Sequence, residues 1–185
     1  MPSCARTSTR IDLLLRSLRV AAGLAVVLLG FLQSVRADTT YLAPDAFLHE
    51  VFGDAPPPPK LLWLDAAAQA QLKPIFGHAY PQARLRYWRA DGKTAWILED
   101  IGKEAPITAG FVVKDKAIDR ARVLIYRESR GDEIRYPSFL RQFAGTHLQN
   151  DELAPGIDGI SGATLSVGAM KRMARAALTL DSLAQ

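Results

Sequence analysis

The N-terminal third of the chain has helical spacing of apolar residues in two short segments separated by prolines. The stretch from Pro44 to Gly53 places apolar residues near a 3.6-residue period, which predicts a short helix. Residues 55–60, APPPPK, lack an amide donor at four positions and predict an extended connector. Asp65 then precedes AAAQAQLK as a suitable N-cap, and Pro74 is expected to stop or bend this second helix.

The middle of the chain has the pattern of four β-strands. The runs ARLRYWRA and KTAWILED flank Asp91-Gly92, a dipeptide that strongly favours a two-residue hairpin. The runs ITAGFVVK and AIDRARVLIYRES form a second pair, joined across Asp115. Apolar and polar residues alternate in the last strand, so we expect one face on the core and one face partly wet. Four consecutive strands with short turns predict an antiparallel meander.

The C-terminal third returns to helical spacing. Pro137 suits the first turn of a short helix that ends at Gly145 and buries three apolar residues, Phe139, Leu140 and Phe143. Residues 146–156 are predicted to be a polar connector. The last helix has an apolar stripe and a basic side expected to face solvent: Val167, Met170, Ala174, Ala177 and Leu178 against Lys171, Arg172 and Arg175. N-terminal and C-terminal helices packed on a four-stranded antiparallel meander predict a single α+β domain.

Residues 1–37 have the order of an export signal. Arginines precede an uncharged run from Val20 to Leu32, and small residues follow at Val35 and Ala37. We predict cleavage after Ala37 and a periplasmic or otherwise extracytoplasmic location. A retained N-terminal membrane anchor is the alternative, although the run of 13 residues is shorter than the roughly 20 that a spanning helix needs.

The positive charge of the chain comes from this same segment. It holds five Arg and one Asp, so the other 148 residues carry 18 basic and 18 acidic side chains and are formally neutral. The chain therefore lacks the basic surplus typical of nucleic-acid-binding domains. The only cysteine, Cys4, also lies there, so the mature chain is expected to have no disulfide, thiolate-held iron–sulfur cluster or C-x-x-C-H haem.

A turn of small residues precedes the last helix. Six positions define it: Asp158, Gly159, Ser161, Gly162, Ala163 and Thr164. Small side chains leave the backbone amides uncovered, and the first amides of a helix have no partner within it. Such a turn suits a phosphate, although Ser and Thr before a helix are also common as ordinary caps.

The order of residues is more specific than the composition. DGISGAT, from Asp158 to Thr164, resembles the D-G-x-S/T-G-A-T signature of the FMN-binding domain family. This family is the flavin-carrying module of subunits in the sodium-pumping quinone reductase, the Rnf electron-transport complex and the nitrous oxide reductase regulator. The resemblance covers about residues 80–180. We therefore divide the chain into a signal peptide (1–37), a helical segment with a polyproline connector (38–79) and an FMN-binding domain (80–182).

The resemblance implies a role for each part of the motif. In the family a flavin transferase esterifies the last Thr to the phosphate of FMN, which corresponds to Thr164. The rest of the motif is expected to bind the phosphate, and Asp158 to orient the turn or assist the transferase. The family places residues near the flavin ring at positions that match Tyr126, Glu128, Arg130 and Glu133. Tyr87, Trp88 and Trp96 either stack on the flavin or pack in the core.

The resemblance also implies a function. We expect an exported electron carrier or subunit, rather than a stand-alone enzyme, that passes electrons between membrane or periplasmic redox partners. The alternatives are a module that binds flavin or another phosphate ligand reversibly, and an extracytoplasmic flavin reductase. The histidines lack the spacing of a zinc site. A hydrolase built on Ser161 and His147 ranks far lower, because the chain has no G-x-S-x-G elbow.

Overall fold

A computed structural model describes residues 38–185 of the chain. The predicted signal segment and its cleavage site after Ala37 lie outside the described residues. The elements in chain order are β1 (Thr39–Thr40), α1 (Pro44–Phe52), β2 (Lys60–Trp63), α2 (Ala66–Phe76), β3 (Arg84–Ala90), β4 (Lys93–Ile101), β5 (Pro106–Lys114), β6 (Ala117–Tyr126), a 3-10 turn (Asp132–Arg135), α3 (Pro137–Leu140), a second 3-10 turn (Arg141–Phe143), β7 (His147–Gln149), β8 (Glu152–Ala154) and α4 (Thr164–Leu183).

The main sheet is antiparallel and has six strands in the order β1-β6-β5-β4-β3-β2. The α+β class is confirmed, but the predicted number of four strands was wrong. The four predicted strands are the central ones, and β1 and β2 extend the sheet at its two edges. These edge strands have two and four residues, which is too short to show alternation of apolar and polar positions. The segment 38–79 therefore contributes two strands to the same sheet.

The two predicted hairpin turns are present and have left-handed backbones. Asp91 and Gly92 have φ of 52° and 71°, and Asp115 and Lys116 have φ of 51° and 62°. Two consecutive residues with positive φ match the right-handed twist of the flanking strands, as in a type I′ turn. Local turn chemistry therefore fixes the register between β3 and β4 and between β5 and β6.

Helix α2 starts as predicted and ends later than predicted. The Asp65 carboxylate accepts a 2.8 Å hydrogen bond from the Ala68 amide. The helix continues through Pro74 to Phe76, so it does not stop at Pro74, the first of the two expected effects. Proline removes only one intrahelical bond in the last turn, and Gly77 then ends the helix with φ of 80° and an amide bond to the Lys73 carbonyl.

Both faces of the sheet are covered by helices. On the inner face, α4 buries Met170 and Met173 in the core that also contains Trp96 and Phe111. On the outer face, α1 packs Phe47 over Gly110, with Leu124 of β6 completely buried beside it. The expectation that one face of β6 is partly wet was therefore wrong for Leu124, because α1 covers that part of the strand.

The predicted polar connector before the motif contains a small hairpin of its own. Strands β7 and β8 pair across Asn150 and Asp151, whose φ values of 51° and 62° are again left-handed. Leu153 of β8 is buried against the main core. Three-residue strands are too short to be recognised by alternation, so the sequence pattern showed only polarity. This hairpin supports the segment that leads to Thr164.

Candidate functional site

Thr164 is the first residue of α4 and is exposed. The first intrahelical bond runs from the Val167 amide to the Ala163 carbonyl over 2.9 Å. The amides of residues 164–166 therefore have no acceptor within the helix, and they share the partial positive charge of a helix N-terminus. An anion joined to the Thr164 hydroxyl would lie next to this charge.

The turn before Thr164 is held at its base and open at its surface. The Asp158 amide donates to Gln142 Oε1 over 2.8 Å, and the Ala163 amide donates to the Ile160 carbonyl over 3.0 Å. Gly162 has φ of 84°, a left-handed conformation that other residues adopt at a cost. The motif residues other than the buried Ala163 are exposed: Asp158, Gly159, Ser161, Gly162 and Thr164. All six predicted motif residues thus belong to one turn.

Two clefts lie on either side of Thr164. The first, of about 300 Å³, is lined by Lys103, residues 128–130 and residues 162–166. The second, of about 640 Å³, runs along α4 and is lined by Thr164, Gly168, Lys171, Arg175 and the segment after β8. Thr164 is shared by both clefts, so a group attached to its hydroxyl has room on two sides.

Glu128 lies at the first cleft and holds the turn between β4 and β5. Its Oε1 accepts the amides of Lys103 at 2.5 Å, Glu104 at 2.6 Å and Ala105 at 2.9 Å. Partial desolvation alone would raise the pKa of Glu128, but the three backbone donors outweigh it and lower this pKa. A Cβ at Gly102 would lie 3.0 Å from the same oxygen, so the turn passes very close to the carboxylate.

Tyr126 is buried at the end of β6, behind the first cleft. Its hydroxyl donates to the Arg130 carbonyl over 2.5 Å and lies 3.0 Å from Ser166 Oγ on the first turn of α4. Burial raises the pKa of Tyr126, and so do the nearby Glu128, Asp132 and Glu133 carboxylates, while the Ser166 hydrogen bond opposes the rise. The structure therefore places the Tyr126 hydroxyl between the loop 127–131 and the first turn of α4, and not on the surface of the cleft.

Glu133 belongs to the 3-10 turn after Gly131 and is half-buried. Its Oε2 is buried and has no hydrogen-bond partner among residues 38–185. Glu133 does not line either cleft. Of the four residues expected near the flavin ring, Glu128 and Arg130 line a cleft beside Thr164.

The basic side of α4 differs from the predicted solvent-facing row. Arg172 Nε donates to Asp100 Oδ2 over 2.6 Å, and its NH2 group donates to the Ile101 carbonyl over 3.0 Å. Arg175 lies 3.2 Å from Glu152. The expectation that these arginines simply point to solvent was wrong, since both are paired with carboxylates of neighbouring strands. Helical periodicity places a residue on a face but does not show which strand end meets it.

The aromatic residues of the first hairpin are packing residues. Tyr87 and Trp96 are buried and stack on each other with ring centroids 4.9 Å apart. Trp88 is half-buried on the opposite face of the sheet, near α1. None of the three lines a cleft beside Thr164.

Several residues at the site had no recognisable sequence signal. Lys103, Ser129 and Leu165 line the first cleft, and Leu165 is 52% exposed although it is large and apolar. Gln142 binds the motif from the second 3-10 turn. Gly131 was also missed, although a glycine inside SRGDE is a signal for a backbone with positive φ.

The chemistry of this site suits a flavin mononucleotide. The Thr164 hydroxyl is accessible, adjacent amides and the helix N-terminus favour a phosphate, and a Cβ at Gly159 or Gly162 would meet no atom within 4 Å. The first cleft supplies the cations Lys103 and Arg130 and the apolar Leu165. Exposed hydroxyl, anion-binding backbone and mixed apolar and basic walls match the parts of FMN.

Residues 38–185 contain neither a cluster of metal-binding side chains nor a helix suited to span a membrane. This part of the chain holds no group of three or more His, Cys, Asp or Glu placed to bind a metal ion. None of its helices combines the length and apolar content needed to cross a bilayer.

The comparison with known protein families agrees with the geometry. The model of the family described as FMN-binding domain matches residues 102–179. This span begins at the turn held by Glu128, includes Tyr126 and the small-residue turn, and ends within α4. No curated protein and no solved structure matches the chain.

Proposed function

We propose that this chain, whose residues 102–179 belong to the FMN-binding domain family with FMN as cofactor, is an exported electron carrier with the FMN joined covalently to Thr164. The observation that carries this proposal is the position of Thr164. This residue is exposed at the N-terminus of α4 and lines both clefts.

The attachment forms one bond at this position. The Thr164 oxygen bonds to the phosphorus of the flavin phosphate, and the bond from that phosphorus to the remainder of the transferase's flavin donor breaks. The remainder departs as the leaving group, and the hydroxyl proton is released. The resulting phosphodiester keeps one negative charge. The free amides of the first turn of α4 and the left-handed turn at Gly162 favour that charge.

FMN, when bound, supplies the redox chemistry, because it accepts two electrons and releases them singly. The residues of the chain bind and orient it. Glu128 and the buried Tyr126 hydroxyl fix the loops beside Thr164, and Lys103 and Arg130 add positive charge at the cleft. A covalent link keeps the cofactor at high effective concentration outside the cytoplasm, where an equilibrium-bound flavin is lost by dilution.

The proposed partners follow from this role. A flavin transferase loads Thr164 during maturation, and a membrane or periplasmic redox protein donates or accepts the electrons. The cleft walls leave the flavin accessible to such a protein, which supports a carrier rather than a closed active site. The predicted signal in residues 1–37 supports export to the periplasm.

Mass spectrometry tests the covalent link. The chain is co-expressed with a flavin transferase, denatured and measured, and we expect retained yellow colour and an added mass of FMN less one water. Thr164→Ala should abolish both. Thr179→Ala, which changes a threonine at the far end of α4, should load normally and is the matched control.

The same experiment separates the alternatives. Colour that leaves on denaturation would indicate a reversible flavin-binding module, and a labelled Thr164→Ala protein would show that the attachment residue is wrong. Electron transfer is then tested by reducing the loaded protein and following flavin absorbance. Rapid reoxidation by a soluble ferric chelate without a partner protein would favour a reductase over a carrier.

A further inference from the structure

Two buried hydroxyl groups, one at the end of β6 and one on the first turn of α4, connect the loop 127–131 to α4 beside the first cleft. Tyr126 and Ser166 are 3% and 4% exposed, and their hydroxyls lie 3.0 Å apart. Since the phenol has a single proton and donates it to the Arg130 carbonyl, Ser166 donates to the phenol oxygen. This chain of hydrogen bonds joins the loop 127–131 to a residue only two positions after Thr164.

Gly131 brings the backbone of the loop 127–131 close to this pair of hydroxyls. It has φ of 88°, and a Cβ there would lie 2.8 Å from Ser166 Oγ and 3.2 Å from the Tyr126 hydroxyl. A third short distance, 3.5 Å, is to the Ala163 Cα. The loop therefore packs its bare backbone against both the hydroxyl pair and the N-cap of α4, so that a movement of one displaces the others.

Glu128 connects the loop 127–131 to the 102–105 turn on the other side of the first cleft. One carboxylate oxygen accepts three successive amides, residues 103–105, at the turn that carries Lys103. Consecutive amides that converge in this way form a concave anion site, and here the protein's own carboxylate fills it. Glu128 therefore holds the 102–105 turn against the same loop that Tyr126 holds against α4.

We infer that Tyr126 and Glu128 are positioning residues of the flavin site, which keep the cleft beside Thr164 in one preformed arrangement. This inference rests on the proposed attachment of FMN to Thr164. It differs from the expected role as ring contacts. The Tyr126 hydroxyl proton is already donated, and the Glu128 oxygen that faces the turn already accepts three donors. Both residues act on the flavin through the loops and Ser166.

Hydrogen exchange tests the loop connection without any flavin. In Tyr126→Phe we expect amide exchange to rise about tenfold in residues 167–169, where the hydrogen-bonded part of α4 begins, as for the loss of one buried hydrogen bond. In Glu128→Gln we expect a rise in residues 103–105, because a neutral amide oxygen accepts their backbone amides more weakly than a carboxylate does. Tyr136→Phe, which changes an exposed tyrosine between the 3-10 turn and α3, should leave both segments unchanged.

Measurements on the loaded protein test the effect on the flavin. We expect each variant to load fully, with weaker visible circular dichroism of the flavin and a midpoint potential displaced toward that of free FMN. Ser166→Ala should reproduce the Tyr126→Phe change, and the two substitutions together should add nothing further. Tyr136→Phe should match the wild-type protein.

Two outcomes would overturn the inference. One is unchanged amide exchange in both segments, residues 167–169 and residues 103–105. The other is a lower melting temperature with dichroism and potential identical to wild type, which would make the two residues purely structural. If the wild-type chain itself fails to load, the proposed attachment at Thr164 is wrong, and the exchange result still decides whether Tyr126 and Glu128 hold the cleft.

Discussion

Arg172 on α4 donates from Nε to Oδ2 of Asp100 on β4 over 2.6 Å, and this pair joins the helix of the site to the end of the sheet. The Asp100 side chain is 6% exposed, whereas Arg172 is 33% exposed. Burial raises the pKa of Asp100, although the hydrogen bond and charge of Arg172 oppose the rise. Burial of the Asp100 carboxylate therefore costs free energy of desolvation, and the Arg172 guanidinium offsets part of that cost.

Arg172→Ala should lower the free energy of unfolding by about 2 to 3 kcal/mol, because it leaves a buried carboxylate without its cation. The value is below that of a fully buried pair since Arg172 is partly solvated. The pKa of Asp100 should rise further in this variant. Urea unfolding and carboxyl NMR titration measure the two effects.

Two variants control for this result. Asp100→Asn in the Arg172→Ala background should recover part of the lost stability, since it removes the unpaired charge. Lys171→Ala removes a neighbouring cation that donates only to a backbone carbonyl, that of Ile157, over 3.3 Å. A loss for Lys171→Ala as large as for Arg172→Ala would contradict the role of the Asp100 pair.

Gly162→Ala should destabilise the protein by about 1 kcal/mol through backbone strain. Gly162 has φ of 84°, and a Cβ there would meet no atom within 4 Å, so crowding does not contribute. Gly156→Ala, at a glycine with equal space and no left-handed backbone, should be neutral or slightly stabilising. Thermal unfolding of both variants is the measurement, and equal effects would contradict the strain argument.

Gly110→Ala should cost about 1 to 3 kcal/mol by overpacking the outer face of the sheet. A Cβ at Gly110 would lie 2.7 Å from two ring atoms of Phe47, which is closer than such atoms approach in proteins. In a Phe47→Ala background the same substitution should cost much less, because the ring is gone. A double-mutant cycle by urea unfolding measures this coupling, and additive effects would show that Phe47 is not the obstacle.

Tyr80 should make stability fall with rising pH in the alkaline range. Its burial raises the pKa to about 12, whereas an unfolded tyrosine titrates near 10. Between these values the folded protein keeps a proton that the unfolded chain releases, so the free energy of unfolding falls by about 1.4 kcal/mol per pH unit from this group.

The test compares Tyr80→Phe with the wild-type protein. It compares the slope of the free energy of unfolding against pH, and not the absolute stability. This variant also loses the contacts of the hydroxyl with the Glu99 backbone at 3.3 and 3.4 Å. We expect its profile between pH 10 and 12 to be flatter than that of the wild-type protein. Tyr136→Phe, at an exposed tyrosine, should keep the wild-type slope.

The central strands and the motif helix were predictable because their signals are local. Asp91-Gly92 and Asp115 encode hairpin turns within two residues, and the Asp65 cap lies three residues from its amide. The edge strands and the β7-β8 hairpin were not predicted, because strands of two to four residues are too short to show an alternation of apolar and polar residues. The end of α2 was also not predicted at the right residue, because the effect of Pro74 depends on how many helical residues follow it.

The α+β class and the turn from Asp158 to Thr164 follow from local patterns along the chain, and the order of residues in that turn indicates the FMN-binding domain family that residues 102–179 match. The surroundings of Thr164 depend on tertiary contacts. Ser166 lies 40 positions after Tyr126, and Glu128 lies 23 to 25 positions after the amides that it binds. Hydrogen bonds over such separations depend on which strand ends the folded sheet brings together, and no local propensity specifies that.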